Sequence, residues 1–168
     1  MLNIIFAPDE KYSLPIQHST KLFLAGGITN CPDWQTDAIN AIGTLDEELK
    51  LNLTIYNPRR PNFDINQTNV VEEQIVWEFD HLKNADIICF WFAKGSINPI
   101  VLYELGKWGN SKEGLDKTII IGCDPEYPRI TDVVIQTLLV NENALITDNF
   151  DSFLNELMTA IINKSEEF

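Results

Sequence analysis

An open α/β sheet, parallel and with helices on both faces, is the fold this sequence predicts. Two observations carry the prediction. Short apolar runs alternate with segments of helical periodicity along the whole chain. Most of the early runs end in Gly, Pro or Asn, as at Gly26-Gly27 and Asn57-Pro58. Size agrees: 168 residues, 45% of them hydrophobic, suit one domain around a single core.

Asn3 to Ala7 reads as a short leading strand and Pro8 to Thr20 as a loop. Lys21 to Ala25 is strand one, ended by the glycine pair. Asp33 to Lys50 is helical, with Trp34, Ala38, Ile42, Leu45 and Leu49 on one face. Leu53 to Tyr56 is strand two, halted by the two prolines of Asn57-Pro58-Arg59-Arg60-Pro61. Asn69 to Asn84 is a helix whose Val71, Ile75, Phe79 and Leu82 are expected to face the core. Asp86 to Phe92 is strand three, and Asn98 to Asn110 the helix after it. Lys117 to Gly122 is strand four, Ile130 to Leu139 a helix, Ala144 to Thr147 strand five, and Phe150 to Asn163 the last helix.

Strands that alternate with helices demand right-handed crossovers and parallel pairing. The expected architecture is a flavodoxin-like, doubly wound, five-stranded parallel sheet in the order 2-1-3-4-5. Residues 1–168 then form one domain, with a leading segment over 1–20 and a charged tail over 164–168. In that order strands one and three are neighbours at the switch point, where such sheets bind ligands. The loop at Gly26-Gly27 and the loop from Gly95 to Asn98 face each other across that crevice.

The net charge is −13, which repels polyanions and argues against a nucleic-acid groove. A small phosphorylated ligand on a local Arg pair stays compatible with it. Cys31, Cys89 and Cys123 form neither a CxxC nor a zinc pattern. Their odd number suits a reducing cytoplasm. The sequence shows no signal-peptide pattern and no apolar run of about 20 residues. No metal site and no cofactor motif is expected: GxGxxG, the Walker loop and the Gly-x-Ser-x-Gly elbow are all absent.

Glu104 is the first candidate residue. Asn98-Pro99 is a favourable helix start, which puts Glu104 in the second turn beside Ile100, Val101, Lys107 and Trp108. An acid on so apolar a face is either a desolvated cleft residue or half of a surface pair with Lys107. Asp80 is the second. It shares a helix face with Glu73, Trp77 and Asn84, close to a helix end that prefers cations. A solvated acid paired with His81 or Lys83 is the alternative. Gly26-Gly27 permits either close backbone approach to a ligand or a plain tight turn. Arg59 and Arg60 sit in a Pro-flanked loop, available to a phosphate or to the surplus acids.

Taken together, Leu22-Phe23-Leu24-Ala25-Gly26-Gly27-Ile28-Thr29, Asn57-Pro58-Arg59-Arg60, Trp77-Glu78-Phe79-Asp80-His81-Leu82 with Ala85-Asp86, and Leu102-Tyr103-Glu104-Leu105-Gly106 resemble the nucleoside 2-deoxyribosyltransferase-like superfamily. The nearest likeness is to the branch with the Asn-Pro-Arg-Arg loop. The resemblance implies Glu104 as the nucleophile at the anomeric carbon and Asp80 as the acid that contacts or protonates the base. It implies a base and sugar pocket shaped by Ala25, Gly26 and Gly27. Phe23 stands where the family carries Tyr, and Asn98 near where it carries a second base-binding Asp, with a plain helix cap as the equal alternative for Asn98. Trp77, beside Asp80, joins the candidate substrate-binding residues, with core packing as its alternative. Arg59 and Arg60 leave a 5′-monophosphate open. The resemblance further implies a homo-oligomer whose sites are completed by a neighbouring subunit's terminal carboxylate, here that of Phe168.

The implied reaction is N-glycosidic cleavage of a (deoxy)nucleoside or its monophosphate through a covalent glycosyl-Glu104 intermediate. Release to a second base makes a transferase, release to water a hydrolase. No nucleic-acid polymer or membrane is an expected partner. A non-catalytic nucleotide-binding or sensing module and an NAD glycohydrolase are the alternatives.

Overall fold

The computed structural model describes residues 2–8, 18–60, 69–109 and 116–167. Most of the expected Pro8 to Thr20 loop, the helix end at Asn110 and the terminal Phe168 lie outside them. The elements are β1 (Leu2–Phe6), β2 (Thr20–Gly26), α1 (Trp34–Leu49), β3 (Leu53–Asn57), α2 (Val70–Asn84), β4 (Ile87–Phe92), α3 (Pro99–Trp108), β5 (Thr118–Cys123), α4 (Ile130–Val140), β6 (Ile146–Thr147) and α5 (Phe150–Ser165).

All strand pairs are parallel, in the order β1-β3-β2-β4-β5-β6. The doubly wound sheet and the relative order of the five expected strands hold. The strand count does not: the sheet has six strands. The leading run pairs along β3, from Leu2 opposite Leu53 to Phe6 opposite Asn57. The reason is physical, because without β1 the outer N–H and C=O groups of β3 would lack a ladder partner.

Side chains alternate across each strand, so each strand feeds two cores. Ile87, Cys89 and Trp91 of β4 pack with Trp34, Ala38 and Ile42 of α1 and Phe153, Leu157 and Ile161 of α5. Ile88, Phe90 and Phe92 pack on the opposite face with Trp77 and Leu82 of α2, Val101, Leu105 and Trp108 of α3 and Val133 of α4. Every residue of β4 is buried, which explains its unbroken apolar run. Burying one such side chain contributes roughly 1.5–3 kcal/mol, so β4 anchors both layers.

One helix face differs from expectation. Val71, Ile75 and Phe79 are exposed, and α2 buries Val70, Trp77 and Leu82 instead. Trp77 is the cause. Its large ring packs near Phe23 and Tyr56 (ring centres 6.0 and 6.5 Å away) and buries more area than any member of the Val71 stripe. The helix is thereby turned by roughly 100°, one residue's step.

Candidate active site

Between β2 and β4 the chain leaves in opposite directions. β2 leads to α1 on one face, and β4 leads to α3 on the other. The strands' C-terminal ends therefore open a crevice at this switch point. A cavity of about 260 Å³ occupies it, floored by Phe23, Ala25, Gly26 and Gly27 and walled by Pro58, Glu78, Asn98 and Glu104. This lies just under the roughly 300–1,000 Å³ of drug-sized ligand sites, a scale for one small molecule.

Gly26 and Gly27 are glycines for reasons of space. A Cβ on Gly26 would come within 2.5 Å of the Trp34 ring and 2.6 Å of the Trp91 carbonyl oxygen. One on Gly27 would come within 2.4 Å of both Asn98 Oδ1 and Cys31 Sγ. Asn98, in the left-handed region at φ 48°, precedes Pro99 at the first helical position of α3. Its side chain makes no capping bond. The amide is buried instead: the Cys31 thiol donates to Oδ1 at 3.5 Å, and Nδ2 has no protein partner among the described residues. The expected helix start is present, but the Asn98 side chain serves the cavity rather than the helix.

α3 buries Val101, Leu105 and Trp108, which turns the neighbouring Glu104 to the cavity wall. Burial, and then the charge of Glu78, pushes the Glu104 carboxyl up from 4.5 to about 8. Lys107 does not neutralise it: its Nζ lies 4.1 Å from the centre of the Phe79 ring and 4.6 Å from that of Trp108. The surface-pair reading of Glu104 is thus not what the structure contains.

Glu78 is the acid that α2 brings to Glu104. Its carboxyl is also raised, by burial first, while a hydrogen bond from Gln74 and the charge of Arg60 pull the other way. Gln74 Nε2 donates to Glu78 Oε1 at 2.7 Å and to the Pro58 carbonyl at 2.9 Å. Arg60 Nε in turn donates to Gln74 Oε1. The pair of carboxyls therefore shares a cavity but not an environment. Among the described residues only Glu78 of the two accepts a hydrogen bond, from Gln74, so it is the better host for the negative charge.

Asp80 is exposed and does not line the cavity. Trp77 is 1% exposed and stacks on His81 with ring centres 4.0 Å apart, so it is a core residue here. Arg59 is held by protein acceptors: Nε donates to Gln35 at 3.0 Å and pairs with Asp33 at 3.1 Å, and a terminal nitrogen donates to the carbonyls of Pro32 and Gly27 at 2.9 and 3.4 Å. Of the expected residues, the structure gathers Glu104, Phe23, Ala25, Gly26, Gly27 and Asn98 around the cavity, with Arg60 behind Glu78. The reading of the sequence missed Glu78 and Gln74. The signal lay in treating Trp77 and Leu82 as the core pair, which places Glu78 on the inner side of α2 and Asp80 on the outer.

The described residues contain no group of three or more His, Cys, Asp or Glu side chains that could hold a metal ion. No described helix is long and apolar enough to cross a membrane.

Fold and site together define an open α/β protein with an acid pair at its switch point. The chain belongs to the nucleoside 2-deoxyribosyltransferase-like family, whose model matches residues 19–127. Its structure is similar to that of a 2-deoxyribosyltransferase from the psychrotolerant bacterium Bacillus psychrosaccharolyticus. The two share 16% sequence identity at a TM-score of 0.51, over 81% of this chain and 91% of that one. That enzyme is described as a biocatalyst for the synthesis of antiviral and antitumoral nucleosides. No curated protein matches this chain significantly.

Proposed function

We propose that residues 1–168 are a single enzyme domain that cleaves the N-glycosidic bond of a (deoxy)nucleoside. Glu104 is the nucleophile and Glu78, in place of Asp80, the acid for the leaving base. The observation that carries the reading is the meeting of two unequal carboxyls over a glycine-floored cavity at the switch point. Two displacements follow. A Glu104 oxygen bonds to C1′ as the C1′–N bond breaks, and the base leaves with the proton of Glu78. A second base or water then attacks C1′, giving its proton to Glu78 and releasing Glu104. Burial and the charge of Glu78 favour the protonated form of Glu104 in the free protein, so attack requires Glu104 to give up its proton while Glu78 carries one.

A neutral nucleoside fits better than its monophosphate. No Lys or Arg is among the described residues that line the cavity, and Arg59 is already held by protein acceptors. The exposed stripe Val71, Ile75 and Phe79 of α2 supports a homo-oligomer. Three unpaired cysteines, two of them buried, suit the cytoplasm.

The test is covalent trapping. A 2′-fluoro-arabinosyl nucleoside slows the second displacement, and intact mass then reads a sugar adduct. We expect the adduct on the wild type and none on Glu104→Ala. A panel of purine and pyrimidine deoxynucleosides and their 5′-monophosphates, and NAD, separates the substrate classes by free base released. Tight binding with neither adduct nor released base across that panel would establish a non-catalytic module instead.

A further inference from the structure

We infer that Gln74 is a positioning residue that dictates which oxygen of Glu78 can carry a proton. This role rests on Glu78 being the acid of the site, as proposed above.

The chain of hydrogen bonds starts at Arg60, whose guanidinium can only donate. Arg60 Nε donates to Gln74, so that end of the amide must be the oxygen. The orientation of the amide, often ambiguous, is thereby settled by chemistry. Gln74 Nε2 then offers two hydrogens. One goes to the Pro58 carbonyl at 2.9 Å, a group that can only accept. The other goes to Glu78 Oε1 at 2.7 Å, one helical turn along α2. Every donor and acceptor in this chain is fixed, and Oε1 of Glu78 is an acceptor in both protonation states. The carbonyl oxygen of a protonated carboxyl is the stronger acceptor, so the Gln74 bond favours a proton of Glu78 on Oε2.

Two features make this more than local packing. Pro58 and Arg60 belong to the loop after β3, so the loop's backbone and side chain both grip the amide. And the charged groups that face Glu78 come from two other elements: Arg60 from that loop and Glu104 from α3. Gln74 supplies the neutral hydrogen bond that tips the balance between them. Without it, Glu78 loses a donor to its charged form and gains freedom to present either oxygen.

The test uses the full chain labelled with 13C at the Glu side-chain carboxyls. Glu78→Gln and Glu104→Gln assign the two signals. In the wild type the Glu78 signal should titrate at lower pH than that of Glu104. In Gln74→Met, which keeps the length and loses the donors, the Glu78 midpoint should rise by about one pH unit. The low-pH limb of kcat/KM should rise by the same interval. Gln74→Asn, one methylene short of the carboxyl, is the second variant and should behave like Gln74→Met. An unchanged Glu78 midpoint in whichever variant folds overturns the inference. The titration is read on ligand-free protein. A shifted midpoint with no base release from the wild type would therefore refute the enzyme and leave the positioning intact.

Discussion

Glu78 of α2 and Glu104 of α3 line one cavity, and the charge of Glu78 helps to hold the proton on Glu104. Desolvation is the larger cause of that retention. Among the described residues Gln74 donates a hydrogen bond to Glu78 and none is donated to Glu104, so the two carboxyls differ before any ligand arrives.

The first prediction concerns stability. Folding raises the Glu104 carboxyl from 4.5 to about 8. Below 4.5 the folded and unfolded chains both hold this proton, and the group's contribution is fully present. Between those limits only the folded chain holds it, so stability falls as pH rises and is lost through about 8. Glu104→Gln removes the ionisation. It should match the wild type near pH 4.5 and be more stable at pH 8.5 by on the order of 2–4 kcal/mol. Urea unfolding at the two pH values reads the difference. Equal gaps at both would contradict a buried, proton-retaining Glu104.

The second separates the two acids of α2. Glu78→Gln should lower kcat/KM by about 10²–10⁴-fold, the ordinary worth of a general acid. It should also abolish the high-pH limb: Glu104 must be ionised to attack, so the residual rate should rise with pH through a Glu104 midpoint below the wild-type value of about 8, because one cause of the raised carboxyl is gone. Asp80→Asn should stay within a few-fold of wild type. The reverse ranking would restore Asp80 as the acid.

The third uses the glycine floor. Gly26→Ala puts a methyl against the Trp34 ring and the Trp91 carbonyl, neither of which can retreat easily. It should cost roughly 1–3 kcal/mol of stability. Gly27→Ala meets the Asn98 amide and the Cys31 thiol, which line or back the cavity. Its larger effect should be on nucleoside affinity, measured by calorimetry. A Gly27→Ala protein that binds like wild type would show that the Asn98 amide does not touch the ligand.

The fourth tests assembly. Ile75 and Phe79 are 60% and 43% exposed on the same stripe of α2. Ile75→Glu with Phe79→Glu should dissociate the proposed homo-oligomer, as sedimentation reads directly. A wild type that sediments as a monomer at micromolar concentration would remove the oligomer from the reading.

The order of the sheet and the location of the crevice were legible in the sequence because strand runs and turn residues are local signals. β4 was plain from Ile87 to Phe92, and Gly26-Gly27 marked the switch point. The edge position of β1 was not legible, since pairing with β3 is a long-range choice that no local pattern encodes. Glu104 could be placed from Asn98-Pro99 onward by counting residues. Glu78 could not, because the rotation of α2 is set by Trp77 against Phe23 and Tyr56, a tertiary competition with the Val71 stripe. Nor could the commitment of Arg59, whose acceptors come from α1 and the loop before it.

That commitment has a mechanical consequence. One guanidinium clamps the loop after β3 to Gly27, Pro32, Asp33 and Gln35, so two loops beside the cavity behave as a single stiff plate. Any adjustment to ligands of different size must then be one-sided. It falls to the opposite wall, where Ile100 of α3 lines the cavity and is exposed. Substitutions at Ile100 should therefore change which ligands the cavity accepts more than substitutions on the plate do.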